Sequence, residues 1–413
     1  MALALRESGY RTLLCGGWKT NGTPAWAGYE TRTAFGPDSE KVADAFDDPV
    51  IAGSVSAGGS REGSDDDSDN HNPFFAHFSF NHCHRPFGQE FDPGIAEKVV
   101  VPATLPDTPT VRKDIATLCQ NVKELDEGVG RILDAIDRRG LTENTAVIFI
   151  TDHGAALAMA KHTLYDPGLR TALIMRYPGV FEAGIRRSEL LSNLDFYPTL
   201  LELAGIDPPA GPSPGREDEE TEYSEMAIHG RSFLPLLKTE SESRTAGYVP
   251  RKTVIASFTY GQRSGMQYYT PKRSIRTEKY KLIRNYTEDP TYLDGGWVGR
   301  QAFEREVIEN WPRFGTPSPK FELYDLESDP WETENLADKP DFEKVRDELS
   351  VDLEYVLRET GDEIHTSEDC TVGNKKASPV IQQWVRPENS DGYVMKYDYF
   401  IETKERPFTE GKT

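Results

Sequence analysis

The sequence predicts an α/β chain. A mostly parallel sheet sandwiched by helices is expected over residues 1–250, and a smaller α+β subdomain, an antiparallel sheet plus a helix, over residues 251–413. Three observations predict it. Two apolar runs, Pro73–Asn81 and Val147–Ile150, end on imidazoles, at His82 and His84 and at Asp152-His153. Open α/β sheets present ligands at the carboxyl ends of buried strands in this way. Between the runs, apolar residues recur at three- and four-residue steps, the period of a helix packed on a sheet. After about residue 250 the pattern turns to short strand-like runs closed by one amphipathic helix.

Taken in order, residues 3–9 read as a short helix ended by Gly9, and Thr12–Cys15 as a strand running into Gly16-Gly17. A strand closed by paired glycines lets backbone approach its end. Residues 20–72 are polar and glycine-rich, and Ala57–Asn72 reads as a low-complexity, mobile surface insertion. After the strand at 73–81 comes an extended proline-rich link, Pro102 to Pro109. The helix predicted over 110–139 carries Ile115, Leu118, Val122, Leu125, Val129, Ile132 and Ile136 on one stripe. The turn Gly140–Thr145 then opens the strand 147–150, and a loop over 161–168 displays one basic residue, Lys161. A strand at 171–176 and a helix within 188–204, starting near Asn193–Asp195 with Pro198 in its first turn, complete the α/β pattern. The acidic stretch Asp207–Glu225 reads as a loop. Antiparallel strands are predicted at 254–260, within Arg273–Asn285 and at 321–325, with a turn at Ser328–Pro330. The last helix, 342–358, aligns Val345, Leu349, Leu353 and Leu357. No periodicity assigns the tail beyond about residue 362.

A length of 413 residues predicts more than one core. The net charge of −22 argues against nucleic acid or an anionic membrane as partner. No apolar run reaches the length of a bilayer span. Acid clusters such as Asp65–Asp67 and Glu217–Glu220 read as solvated loops of a salt-adapted, halophile-like proteome. The four cysteines show no CxxC spacing, so free thiols in a reducing compartment are expected. The first residues do not form a signal peptide, which predicts a cytoplasmic chain unless an export signal precedes Met1.

The candidate chemistry begins at Thr151-Asp152-His153-Gly154. Asp supplies a hard oxygen and His a nitrogen, a pair able to hold a divalent cation, although Asp152 could equally cap the following turn. Cys83 lies between two histidines, but no second Cys/His pair at ligand spacing accompanies it, which disfavours zinc.

Taken together, these segments resemble the sulfatase family of the alkaline-phosphatase-like superfamily, and within it the sulfamidase (heparan N-sulfatase) branch. Leu5–Thr12 resembles the helix and strand before the family's Gly-Lys-x-His motif. Asn81–Pro86 resembles its segment with a substrate-facing His, and Asp126–Gly130 its "LDxxVG" helix. Thr151–Gly154 resembles the metal-binding "SDNG/SDHG". Leu194–Leu200 and Glu322–Leu336 are similar to two further family signatures, and Met266–Arg300 with Trp311–Asn335 give the lean to sulfamidase. The resemblance implies hydrolysis of a sulfate ester or sulfamate, on a sulfated small molecule or glycan. It implies a calcium ion with Asp152 and His153 as ligands, His84 and Lys161 on the sulfuryl group, and His84 as candidate general acid. Lys19, standing where the family has a histidine, is a candidate substrate contact.

The family nucleophile is a formylglycine made within C/S-x-P-x-R, and no such motif occurs in this sequence. The Gly-Lys-x-His position reads Gly16-Gly17-Trp18-Lys19. Two expectations follow: a chain truncated at its N terminus, without the nucleophile strand, or an inactive relative. A non-catalytic protein binding anionic ligands is the alternative function. A phosphodiesterase of the same superfamily would need a Thr or Ser nucleophile and two metals, and the Glu322–Pro330 segment argues against it.

Overall fold

The computed structural model describes residues 1–16, 29, 31–33, 73–88, 91–207, 230–238, 248–263, 266–288, 316–360 and 362, and the strands of the tail. Lys19 with Gly17 and Trp18, the insertion Ala57–Asn72 and almost all of the acidic loop Asp207–Glu225 lie outside the described residues.

Helix α1 (Ala2–Glu7) leads into strand β1 (Arg11–Gly16), followed by β2 (Thr31–Thr33) and β3 (Phe74–Ser79). Helices α2 (Pro93–Lys98) and α3 (Pro109–Arg138) precede β4 (Val147–Ile150). The one-turn helix α4 (Asp166–Leu169), strand β5 (Leu173–Arg176) and helix α5 (Phe196–Leu203) come next. Strands β6 (Val254–Arg263), β7 (Met266–Arg276), β8 (Tyr280–Asn285) and β9 (Phe321–Asp325) are followed by helix α6 (Glu343–Glu359). In the tail, β10 (Thr371–Val372) pairs with β11 (Lys375–Lys376), and β12 (Gln382–Val385) with β13 (Val394–Tyr397), both antiparallel. No helix among the described residues is long and apolar enough to cross a membrane.

The chain divides into two compact units. The first comprises Met1–Glu90, Leu118–Phe149 and Leu173–Arg251, the second Phe91–Thr117, Ile150–Ala172 and Lys252–Thr413. In the first, β2, β1 and β3 form a parallel sheet with β1 in the middle. Leu13 and Cys15, two residues apart and so on one face, pack against Ile132, Ala135 and Ile136 of α3. Gly16 meets the expectation of close backbone approach: a Cβ there would lie 2.3 Å from the Ser79 carbonyl oxygen. β2 was not expected, because Thr31-Arg32-Thr33 has no apolar alternation. Its β-branched threonines were the only local signal.

Two further expectations change. The strands were expected in one sheet, whereas among the described residues β4 and β5 form a ladder of their own. An apolar run marks a strand but not its neighbours, which are chosen by pairing over long sequence distances. Along α3, Val122 is 47% exposed although it lies on the predicted stripe. Cores form near the two ends of this helix, around Val111 and Ile115 and around Ile132 and Ile136, and Val122 lies between them.

The start of the helix within 188–204 follows from a capping box. Ser192 Oγ accepts the Leu194 N–H at 3.3 Å, and Asp195 Oδ2 accepts the Ser192 N–H at 2.8 Å. Buried Asp195 also accepts the Arg231 N–H at 2.7 Å and pairs with Arg251.

In the second unit β6 to β9 form an antiparallel meander. The run Arg273–Asn285 divides at a tight turn, where the Tyr280 N–H donates to Thr277 Oγ1 at 2.8 Å. Ile275, Leu282 and Leu323 on one sheet face pack against Leu349, Leu353 and Leu357 of α6, the face its four-residue spacing predicted. Two polar residues fix the chain after β9. Asn335 accepts the Leu323 N–H at 2.9 Å and donates to the Phe321 carbonyl at 3.1 Å, acting as a one-residue strand partner. Asp329 accepts the N–H groups of Thr333 and Glu334 at 2.6 and 2.8 Å. Leu353 has no exposed surface, so Leu353→Ala is expected to cost about 2–5 kcal/mol, read as a lower urea midpoint for the second unit.

Candidate active site

The Asp152-His153 pair opens a loop that closes on itself. Thr151 anchors its start: the Thr151 N–H donates to the Ala172 carbonyl at 3.3 Å, and the Ala172 N–H to Thr151 Oγ1 at 3.0 Å. At the neck the Gly154 N–H donates to the Gly168 carbonyl at 2.9 Å. Only glycine fits at 154, because a Cβ would stand 1.7 Å from the Pro167 carbonyl oxygen. The last residue of the Thr-Asp-His-Gly motif is therefore set by packing.

Asp152 is 86% exposed at its side chain, and its Oδ1 accepts the His153 N–H at 3.0 Å. A cap would take an N–H two or three residues on, so this bond to the next residue is not the one the capping alternative requires. His153 Nδ1 lies 2.7 Å from the Gly154 carbonyl, which can only accept, so Nδ1 carries a proton. Nε2 stands 3.4 Å from Asp152 Oδ2. Either a proton joins these atoms, or both face one cation. Their separation suits two neighbouring ligands on a calcium-sized ion with bonds of about 2.4 Å. The rest of such a shell is not supplied by a cluster of three or more His, Cys, Asp or Glu among the described residues. The pair fits two adjacent ligand positions and no more.

Lys161 sits within the same closed loop. The sequence suggested a displayed side chain, but Lys161 is only 8% exposed. Its N–H donates to the Ala155 carbonyl at 3.1 Å, and the chain around it is tightly wound. Met159 (φ +58°) and His162 (φ +67°) bracket it in the left-handed region, uncommon for residues other than glycine.

The end of the loop is tied down by residues to which the sequence assigned no role at this loop. Tyr165 Oη donates to Glu322 Oε2 at 2.6 Å, an oxygen that also accepts from Tyr324 Oη at 2.6 Å. Next along the chain, the Asp166 N–H donates to Glu332 Oε2 at 2.5 Å. The Asp166 carboxylate meets Lys281 Nζ at 2.5 Å and Arg276 Nε at 3.2 Å, and Lys281 Nζ lies 2.8 Å from Glu332 Oε1. Burial pushes the Asp166 carboxyl up, but the Lys281 charge and the bonds from Lys281 and Arg276 outweigh it and hold the group below its ordinary range. Glu332 shares only one cation. Burial, with a smaller push from the Asp166 charge, outweighs Lys281 and raises it to about 7. Glu332 lies in a signature segment of the sequence, but its partner Asp166 is 166 residues away, and no local pattern joins them.

His84 belongs to the first unit and ends a turn after β3, where its N–H donates to the Asn81 carbonyl at 2.9 Å. His84 Nδ1 lies 2.5 Å from the Arg85 carbonyl, which can only accept, so Nδ1 carries a proton. Buried Arg85 stacks over Phe87 at 3.9 Å, and Asn121 of α3 donates to the His82 carbonyl at 2.7 Å, so the turn is rigidly held. Burial pushes the Cys83 thiol up, away from the thiolate that zinc needs.

A family profile described as "Sulfatase" matches residues 1–206, and one described as "N-sulphoglucosamine sulphohydrolase, C-terminal" matches residues 154–293. The chain belongs to the sulfatase family. Among curated relatives, it is 30% identical over 282 residues to an ulvan-active sulfatase of Formosa agariphila, covering 66% of this chain and 42% of that one. It is also 30% identical over 282 residues to human N-sulphoglucosamine sulphohydrolase, covering 63% and 51%. The matches to these relatives thus span about half the relatives' length. Among solved structures, one described as a complex with its substrate D-glucosamine-2-N,6-O-disulfate superposes with a TM-score of 0.58 at 17% identity, covering 88% of this chain and 82% of that one. The phosphonate monoester hydrolase of Agrobacterium radiobacter gives 0.50 at 17% identity, covering 87% and 80%. These likenesses show the sulfatase/alkaline-phosphatase-like fold. In this sulfatase-family chain, Asp152, His153 and Lys161 share one closed loop, and His84 lies on a separate rigid turn.

Proposed function

We propose that this chain binds the sulfuryl group of a sulfated sugar and acts in its hydrolysis, at a sulfate ester or a sulfamate. The observation that carries this reading is the closed loop 151–168, which bears the Asp152-His153 pair and a buried lysine within ten residues of one another. The relatives named for ulvan and for N-sulphoglucosamine supply the substrate class.

Each residue has a physical task. An ammonium with little water around it, such as Lys161, offsets sulfuryl charge more strongly than an exposed one, because the local dielectric is low. His84 Nε2 exchanges the proton with the leaving oxygen or nitrogen, while the Arg85 carbonyl keeps its tautomer and ring plane fixed. Asp152 and His153 would hold a calcium ion, whose charge would anchor a sulfuryl oxygen. Lys19 remains a candidate substrate contact outside the described residues.

The test incubates the full chain with N-sulfoglucosamine and with O-sulfated sugars and measures released sulfate. Release that falls at least about tenfold in Lys161→Ala and in His84→Ala is the expected result. No release, with no binding of inorganic sulfate by calorimetry, overturns the proposal. A second reading is binding of the sulfated ligand without turnover, favoured by the lack of any C/S-x-P-x-R in the sequence. It predicts sulfate binding weakened by Lys161→Ala, with no release. For the metal, calcium is expected to raise the Tm of the wild type and to lose that effect in Asp152→Asn. An equal shift in both would remove Asp152 from the ligand set.

A further inference from the structure

We propose that Glu332 is a positioning residue for Lys161: through Asp166, and together with Lys281 and Arg276, it fixes the loop from which Lys161 is presented. The inference rests on Lys161 as the sulfate-contacting residue.

Three features carry it. First, the connection is short and rigid. Lys161 precedes Tyr165 by four residues, and Tyr165 and Asp166 are both bonded to the antiparallel sheet or to the turn after it, at Glu322, Arg276, Lys281 and Glu332. The neck at Gly154 and Gly168 closes the other side, so the segment between has few ways to move. Second, strain is concentrated here. The described residues other than glycine with positive φ are Met159, His162 and Glu332, which flank Lys161 and hold its anchor. Such conformations persist only where the surroundings over-determine them, and they gather at functional sites. Third, the anchor is a costly arrangement for a purely structural purpose. Buried ion pairs are often replaceable by apolar groups without loss of stability. Here Lys281 and Glu332 are fully buried, and the cluster joins two carboxylates to two cations around one backbone N–H. What it gains is direction: Glu332 satisfies the Asp166 N–H with one oxygen and stands 2.8 Å from Lys281 Nζ with the other.

The test measures the affinity of the full chain for inorganic sulfate by calorimetry, in the wild type, Lys161→Ala, Glu332→Ala, Glu332→Gln and the Lys161→Ala/Glu332→Ala double variant. Each alanine variant alone is expected to weaken sulfate binding by about tenfold, and the double variant to bind no more weakly than Lys161→Ala, because Glu332 acts through Lys161. Glu332→Gln, whose amide oxygen can still accept the Asp166 N–H, is expected to recover part of the affinity. Equal, additive losses in both backgrounds overturn the proposal, as does wild-type affinity in a folded Glu332→Ala. Unchanged affinity in Lys161→Ala overturns the underlying reading of Lys161 and this inference with it. If Glu332→Ala does not fold, Arg276→Gln, which loosens Asp166 from a partly exposed position, replaces it in the same cycle, with the same two outcomes.

Discussion

Lys281→Met is expected to destabilise the second unit by about 3–5 kcal/mol, the range for removing one partner of a buried charge pair. The Lys281 side chain has no exposed surface and lies within 2.8 Å of both Asp166 and Glu332. Without it, two neighbouring carboxylates are left buried with only Arg276 at hand, and that guanidinium reaches Asp166 alone among the two. Because Lys281 holds the Glu332 carboxyl down, its removal leaves Glu332 protonated at neutral pH, so adding Glu332→Gln to Lys281→Met is expected to recover part of the loss only well above pH 7, where the unpaired charge is present. Urea unfolding of the two variants checks both statements, and an uncharged second substitution without benefit at that higher pH would mean that packing, not charge, dominates at Lys281.

The same cluster sets a pH dependence whose sign is fixed. The Glu332 carboxyl is raised from its ordinary 4.5 to about 7, so the folded state holds its proton more tightly than the unfolded chain. Its stabilising contribution is complete below about pH 4.5 and is lost as pH rises through about 7, a change on the order of 3 kcal/mol. Asp166, held below its ordinary range, acts in the opposite direction and weakens the fold on acidification. The difference between wild type and Glu332→Gln isolates the first effect. The wild type should stand highest relative to the variant near pH 5 and lose that standing by pH 8.

Gly154→Ala is the second large effect. The added Cβ would stand 1.7 Å from the Pro167 carbonyl oxygen and 2.8 Å from its carbon, and backbone atoms cannot rotate aside as a side chain can. The neck bond between the Gly154 N–H and the Gly168 carbonyl must then break. A cost of about 1–3 kcal/mol or more is expected, together with a loss of sulfate affinity at least as large as that of Lys161→Ala. Gly130→Ala is the control: it lies within α3 with nothing within 4 Å of its added Cβ, and it should stabilise the chain by roughly 0.5–1 kcal/mol. Equal behaviour of the two variants would remove steric closure as the reason for the glycine in the Asp-His-Gly motif.

The parts of the fold legible in the sequence were those with a local period. α3 and α6 were readable from apolar spacing, and β1, β3, β4 and β9 from short apolar runs ending in a change of chemistry. The turn Asn193–Asp195 that leads into α5 was readable too, and Ser192 and Asp195 form a capping box on it, three residues apart. β2 escaped because its partner, not its composition, makes it a strand: three polar residues pair with Leu13–Cys15. Val122 was misplaced because a helical stripe says which face is apolar, not how much of its length a neighbour covers.

At the candidate site the division is sharper. In the sequence, Asp152, His153, His84 and Lys161 are legible as candidates for sulfate and metal chemistry from the resemblance to the sulfatase family, and each stands at the end of a strand or in a loop beside one. Only the tertiary structure decided that Lys161 is buried, that a closed neck at Gly154 joins it to the Asp-His pair, and that Glu332 and Lys281 anchor the loop. The physical reason is range. Periodicity and capping are read within a few residues of a position, whereas a carboxylate accepting an N–H from 166 residues away, and a steric contact between two backbones, exist only once the chain has folded.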